Sequence, residues 1–140
     1  MIRGAGRYDL DSVYSLMRQL SSHDFTKEQF EACYYFNLER DRILVYEDEE
    51  AICGCIVYEV HYPMHYSRKT AEIVNLIVDE NCRNNGVGKE LLASFERLAI
   101  ENGCVRMEVD TNKQREGAQR LYSREGFEPS HFKLTKELKS

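Results

Sequence analysis

The chain has 140 residues, 42% apolar and 31% charged, with two prolines and no low-complexity tract; this fits one globular domain over 1–140 and excludes extensive disorder. With 24 acidic against 19 basic residues the formal charge is −5, so no overall field favours nucleic acid. No apolar stretch nears the roughly 18 residues of a membrane span, and Met1–Arg7 lacks a signal-type apolar run, so a cytoplasmic chain without a membrane partner is expected.

In chain order, a short strand is expected around Met1–Arg3. Leu10, Val13, Met17 and Leu20 then recur at three- and four-residue steps behind Asp9, a candidate N-cap, predicting an amphipathic helix. Thr26 and Gln29 have the form of a capping box opening a second helix that runs to about Arg40. Arg42–Glu47 and Ala51–His61, rich in Ile, Val and Tyr, flank the acidic turn Asp48-Glu49-Glu50 and predict an antiparallel hairpin. After the loop Tyr62–Arg68, a strand is predicted from Thr70 to Val78, with Glu72 at the parity of Val74, Leu76 and Val78. A carboxylate on that face requires a reason.

Cys82–Gly88 breaks the strand pattern, and Leu91, Leu92, Phe95, Leu98 and Ala99 trace a helix ending near Asn102-Gly103. Val105, Met107 and Val109 alternate with Arg106, Glu108 and Asp110 as in a half-exposed strand. A shorter helix over about Arg115–Glu125 is closed by Gly126, and Phe132, Leu134 and Leu138 predict a last strand interrupted by Lys136. Five cysteines (33, 53, 55, 82 and 104) are an odd number without Cys-x-x-Cys spacing, which reads as reduced, structural thiols.

Strand, glycine turn and helix in succession bring backbone N–H groups to the positive end of a helix, where an anion can bind. In Arg83-Asn84-Asn85-Gly86-Val87-Gly88-Lys89, the glycines permit close approach and Arg83 and Lys89 add positive charge. The turn lacks the third glycine of the dinucleotide fingerprint and the Gly-Lys-Ser/Thr of the triphosphate loop, and a plain strand-to-helix turn is the competing reading.

Arg83-Asn84-Asn85-Gly86-Val87-Gly88 resembles the Gln/Arg-x-x-Gly-x-Gly/Ala pyrophosphate loop of the GNAT N-acetyltransferases. Ala118-Gln119-Arg120-Leu121-Tyr122-Ser123-Arg124-Glu125-Gly126-Phe127 is similar to that family's Ala-x-x-x-Tyr-x-x-x-Gly-Phe. The loop His61–His65, the pair Glu72-Ile73 and the tail Arg124–Leu138 resemble the aminoalkylphosphonate N-acetyltransferase branch. The chain departs from the family in carrying Arg115 where many members have a cofactor-binding Asn, the nearest Asn being Asn112.

The resemblance implies an α/β (α+β) fold: a single GNAT-type domain with a central mixed, mostly antiparallel sheet and about four helices. It implies acetyl-CoA as cosubstrate, held by Leu76, Ile77 and Val78 on the strand, the 83–89 turn, Asn112 and Arg115. It implies Glu72 as base, made a better match to neutral pH by burial, Tyr122 as acid, and a backbone N–H of Leu76 or Ile77 as oxyanion donor beside a strand bulge. Taken alone, Glu72 could sit in a structural ion pair, and a lone Tyr at the spacing of Tyr122 is more often a core aromatic.

His65, His131 and Lys133 are candidate partners for a phosphonate, and His61, His65 and His131 candidate ligands for a divalent metal. The implied substrate is a small primary amine, an aminoalkylphosphonate first. The alternatives are a polyamine, aminoglycoside or protein acetyltransferase, or a non-catalytic acyl-CoA-binding module. A homodimer is the commonest soluble oligomer and stays open.

Overall fold

A computed structural model describes residues 1–20, 24–49, 51–112 and 115–139. In chain order the elements are β1 (Ile2–Gly4), α1 (Leu10–Leu20), α2 (Lys27–Leu38), β2 (Ile43–Asp48), β3 (Ala51–His61), β4 (Lys69–Val78), α3 (Val87–Glu101), β5 (Cys104–Val109) and α4 (Glu116–Arg124). The strands lie in the sheet in chain order. Pairing is antiparallel from β1 to β4, while β5 runs parallel to β4 and is reached through the α3 crossover.

One sheet face carries Ile56, Tyr58, Ala71, Ile73 and Leu76 against Leu91, Leu92 and Phe95 of α3 and Tyr122 of α4. The other carries Val45, Cys55, Val57 and Ile77 against Leu10, Val13 and Leu16 of α1 and Tyr34 of α2. Alternating strand residues and one apolar stripe per helix generate this sandwich. Gly54 lets α3 lie directly on β3, for a Cβ there would stand 3.0 Å from both Leu91 Cδ1 and Val87 Cγ1.

The capping box forms as predicted: Thr26 Oγ1 accepts from Gln29 N–H at 3.1 Å, and Gln29 Oε1 from Thr26 N–H at 2.8 Å. Asp9 corrects its expected role as the α1 cap. It lies in a 3-10 turn, Arg7–Asp9, and reaches back to Gly6 N–H at 2.7 Å and to Arg3 through both oxygens, at 2.8 and 2.9 Å. Arg3 also bonds Glu47, at 3.3 and 3.2 Å, and so ties β1 and β2 to the chain entering α1.

The predicted last strand does not form. Residues 127–139 carry no regular structure, and Phe132, Leu134 and Leu138 are exposed. A strand needs an adjacent edge, which alternation within the segment cannot supply. In the predicted acidic turn, Glu50 lies outside the described residues. All five cysteines are free; burial pushes the Cys55 thiol up to about 12, and the Cys82 side chain and burial push Cys53 up to about 11. Among the described residues no helix is long and apolar enough to cross a membrane.

Candidate active site

The site begins where the sheet opens. β4 and β5 pair from Lys69↔Cys104 to Ile73↔Val109 and then separate, while β4 continues to Val78. On its other side β4 carries a bulge: Val57 faces Asn75 and Tyr58 faces Ile73, leaving Val74 without a partner. One extra residue reverses the alternation. Glu72 therefore shares its face with Asn75 and Ile77, opposite to Leu76 and Val78, correcting the parity expected from sequence.

The amides of β4 divide by alternation. Asp79 N–H reaches Cys53 O of β3 at 2.8 Å, and Ile77 O lies within 3.2 Å of the Cβ position of Gly54, so Ile77 turns its backbone toward β3. Leu76 and Val78 then face the opening, and Val78 O accepts from Arg83 Nε at 3.2 Å. Of the two expected oxyanion donors, Leu76 has its N–H on the open side.

At the mouth of the opening lies a cleft of about 1180 Å³ between β4, the 83–89 turn and α4. It gathers Leu76, Ile77, Val78, Arg83, Asn84, Gly86, Val87, Gly88, Lys89, Arg115 and Tyr122, leaving Asn85, Asn112 and Glu72 outside its lining. Gly86 occupies the left-handed region, φ 79°, and starts α3 without a side-chain cap, so amides of the first turn are left for another acceptor. Five basic residues line the cleft (Arg83, Lys89, Arg115, Arg120 and Arg124) against Glu116 and Glu125. A chain of net charge −5 thus concentrates positive charge where a polyanion would enter. Arg120 and Arg124 escaped the sequence reading, although their spacing of four along α4 puts them on one helical face.

Glu72 sits near the apex of the opening, directly opposite Glu59 on β3 and Glu108 on β5. Like charges in register repel, and each has a basic side chain beside it. His61 Nε2 is 2.8 Å from Glu72 Oε1 and 3.4 Å from Glu59 Oε2; Arg42 pairs with Glu59 and Arg106 with Glu108. The Glu72 side chain is 28% exposed, so it is half-buried rather than enclosed. The sequence singled out Glu72 and missed the two flanking carboxylates, whose signal appears only in cross-strand register.

Tyr122 is buried on α4, its ring edge-on to Phe127 at 5.4 Å. Burial pushes its phenol up to about 12, against a smaller opposing pull from Arg115. His65 and His131 are exposed, His131 Nδ1 lying 2.7 Å from Ser130 Oγ. Lys133 pairs with Asp110 at 2.9 Å, which together with the charge of Glu72 raises its pKa. Of the three expected metal ligands only His61 joins other potential ligands among the described residues: Glu59, His61 and Glu72 offer atoms within 4.8 Å of one another. His65 and His131 are outside that group.

A family model described as Acetyltransferase (GNAT) family matches residues 10–127. The chain is 32% identical to an aminoalkylphosphonate N-acetyltransferase of Salmonella typhimurium, over 98% of this chain and 90% of that protein. Among solved structures it is similar to an aminoglycoside N-acetyltransferase in complex with CoA, with TM-score 0.86 and 20% identity over 100% of this chain and 95% of the other. A transcriptional regulator from Bacillus halodurans superposes with TM-score 0.84 at 22% identity, over 99% of each chain. These two structures share the fold.

Proposed function

The chain belongs to the GNAT family of acetyltransferases, and on that premise we propose that it carries an acetyl group from acetyl-CoA to the primary amine of a small molecule, an aminoalkylphosphonate before others. The observation that carries this reading is the opening between β4 and β5, with a positively lined cleft at one end and three carboxylates in register near the other. A pyrophosphate suits the uncapped start of α3 with Arg83 and Lys89 beside it. The acyl-bearing arm can then lie along the free edge of β4.

An amine arrives as its ammonium and is drawn to Glu59, Glu72 and Glu108. Glu72 takes one proton, and the freed nitrogen pair attacks the thioester carbonyl. As the C–N bond forms, the carbonyl oxygen becomes an oxyanion that the Leu76 N–H can meet. Collapse breaks the C–S bond, and the electron pair leaves on sulfur. Of the two protons lost by nitrogen, Glu72 passes one to water and the other ends on the CoA thiol by way of Tyr122. A phenol raised to about 12 stays protonated throughout the neutral range and donates to the departing sulfur.

The 32% identity to a relative of that name supports the phosphonate, for which His65 of the loop before β4 and His131 and Lys133 of the tail are the proposed partners. A polyamine or aminoglycoside is the second reading, favoured by the Glu59–Glu72–Glu108 row, which would suit several ammonium groups. Glu59, His61 and Glu72 also have the donor types of a divalent cation site. CoA release should be measured with aminomethylphosphonate, aminoethylphosphonate, spermidine and an aminoglycoside, each with and without divalent metal. The expected result is the highest kcat/KM for a phosphonate. Higher values for both polycations would replace it with the second reading, and no release with any amine would overturn the activity itself.

A further inference from the structure

We propose that Cys53 and Cys82 are an oxidative modification site: a peroxide joins them in a disulfide, and the disulfide weakens cosubstrate binding by displacing the turn beneath the pyrophosphate. This rests on the proposed seat of that pyrophosphate on residues 83–89. Cys53 is the extra residue of a bulge in β3: Tyr46 of β2 faces Gly54 and Glu47 faces Ile52, which leaves Cys53 without a partner on β2. A bulge re-aims the side chain it carries. Here the re-aimed thiol is hydrogen-bonded to the thiol of Cys82.

One residue holds the two cysteines together. Asp79 donates its N–H to Cys53 O, and its own carbonyl accepts from Cys82 N–H, both at 2.8 Å. Its carboxylate accepts from Asn81 N–H at 2.9 Å and caps the single 3-10 turn Glu80–Cys82. That turn runs straight into Arg83, whose Nε donates to Val78 O at 3.2 Å, and so into the Gly86 start of α3. Cys82 is half-buried and lines the cleft, whereas Cys53 is buried behind it. The Cys82 side chain and burial hold Cys53 as the thiol at neutral pH, so the oxidant falls on Cys82.

Hydrogen peroxide reaches Cys82 from the cleft. The Cys82 sulfur attacks one peroxide oxygen, the O–O bond breaks, and the thiol becomes a sulfenic acid with release of one water. The Cys53 sulfur then displaces the sulfenic hydroxyl, which leaves with the Cys53 proton as a second water while the S–S bond forms. Two thiols have lost two electrons and two protons, and the peroxide has become two waters. A dithiol reductant reverses the change by exchange. Closing the sulfurs from hydrogen-bond contact to about 2.0 Å draws Cys82 toward β3 and carries Arg83 with it. A phosphate resting on Arg83 then loses a charge-assisted contact. Linkage makes the effect reciprocal: CoA on the turn opposes disulfide formation by the factor with which the disulfide weakens CoA. The empty protein is oxidised and the loaded one is spared.

The full chain is treated with hydrogen peroxide, its remaining thiols are alkylated, and the product is digested for mass spectrometry. A peptide linked through Cys53 and Cys82 is expected, and dithiothreitol should abolish it. By calorimetry the oxidised protein should bind CoA about tenfold more weakly than the reduced one, with full recovery after dithiothreitol. Cys53→Ser, with Cys53→Ala as a second variant should the first misfold, should bind CoA like the reduced wild type and yield no linked peptide. In a glutathione redox buffer, saturating CoA should shift the equilibrium about tenfold toward the two thiols. Reduced protein that binds no CoA would overturn the proposed cosubstrate site, and this inference with it. Reduced protein that binds CoA but forms no Cys53–Cys82 linkage, or a linked protein that binds CoA as tightly as the reduced one, would overturn this inference alone.

Discussion

Glu72 and Tyr122 were both marked by sequence, and the structure gives them different surroundings. The carboxylate is half-buried between two others and held by an imidazole; the phenol is inside the core with its pKa pushed up to about 12. The phenol's protonated form is therefore favoured by the fold, and its contribution to stability is present below about 10, the ordinary tyrosine value, and lost as pH rises through about 12. Tyr122→Phe should lower kcat by about 100-fold with little change in CoA affinity, in single-turnover assays where chemistry limits the rate. Because the donor stays protonated, the wild-type profile should show no Tyr122-dependent fall near pH 10. A fall there that the Phe variant abolishes would assign an unshifted phenol instead.

Among elements, those with complete local signals were legible. Thr26 and Gln29 announced α2, and Leu91, Leu92, Phe95 and Ala99 announced α3, because a helix is specified by its caps and its stripe. The bulge at Val74 was not visible: an extra residue shows only against the partner strand, and it put Glu72 on the opposite face from that expected. The expected last strand was wrong: alternation of Phe132, Leu134 and Leu138 suggested it, but residues 127–139 carry no regular structure, since alternation alone fixes no pairing partner. The 83–89 turn was legible as a glycine turn into a helix, and Gly86 and Gly88 do fall at the start of α3. Gly86→Ala should cost about 1–2 kcal/mol through its left-handed backbone, whereas Gly88→Ala meets only Leu121 Cδ2 at 3.4 Å and Val78 Cγ2 at 3.6 Å. Denaturant titration and CoA calorimetry should accordingly find Gly86→Ala weaker in both and Gly88→Ala close to wild type in stability.

At the scale of the whole molecule, the Arg3–Asp9–Glu47 cluster fastens the first strand to the rest of the sheet. The Arg3 guanidinium, with Gly6 N–H, holds the Asp9 carboxyl below its ordinary 3.8. A depressed carboxyl contributes stability that is present above the unfolded value and lost as pH falls through the folded one. Urea titrations should show Asp9→Asn less stable than wild type by about 1.5–3 kcal/mol near neutrality, with the difference closing below pH 3.8. Equal losses at neutral and acid pH would assign the cost to packing. The strand order bears on how such a chain emerges during synthesis. β2, β3 and β4 follow one another through short connections and can zip as soon as they leave the ribosome. β5 must wait until the whole of α3 has been made, and it then joins by the parallel pairing that is weaker per residue. The seam completed last in translation is therefore also the one that stays unpaired beyond Ile73 and Val109, where the cosubstrate is proposed to lie.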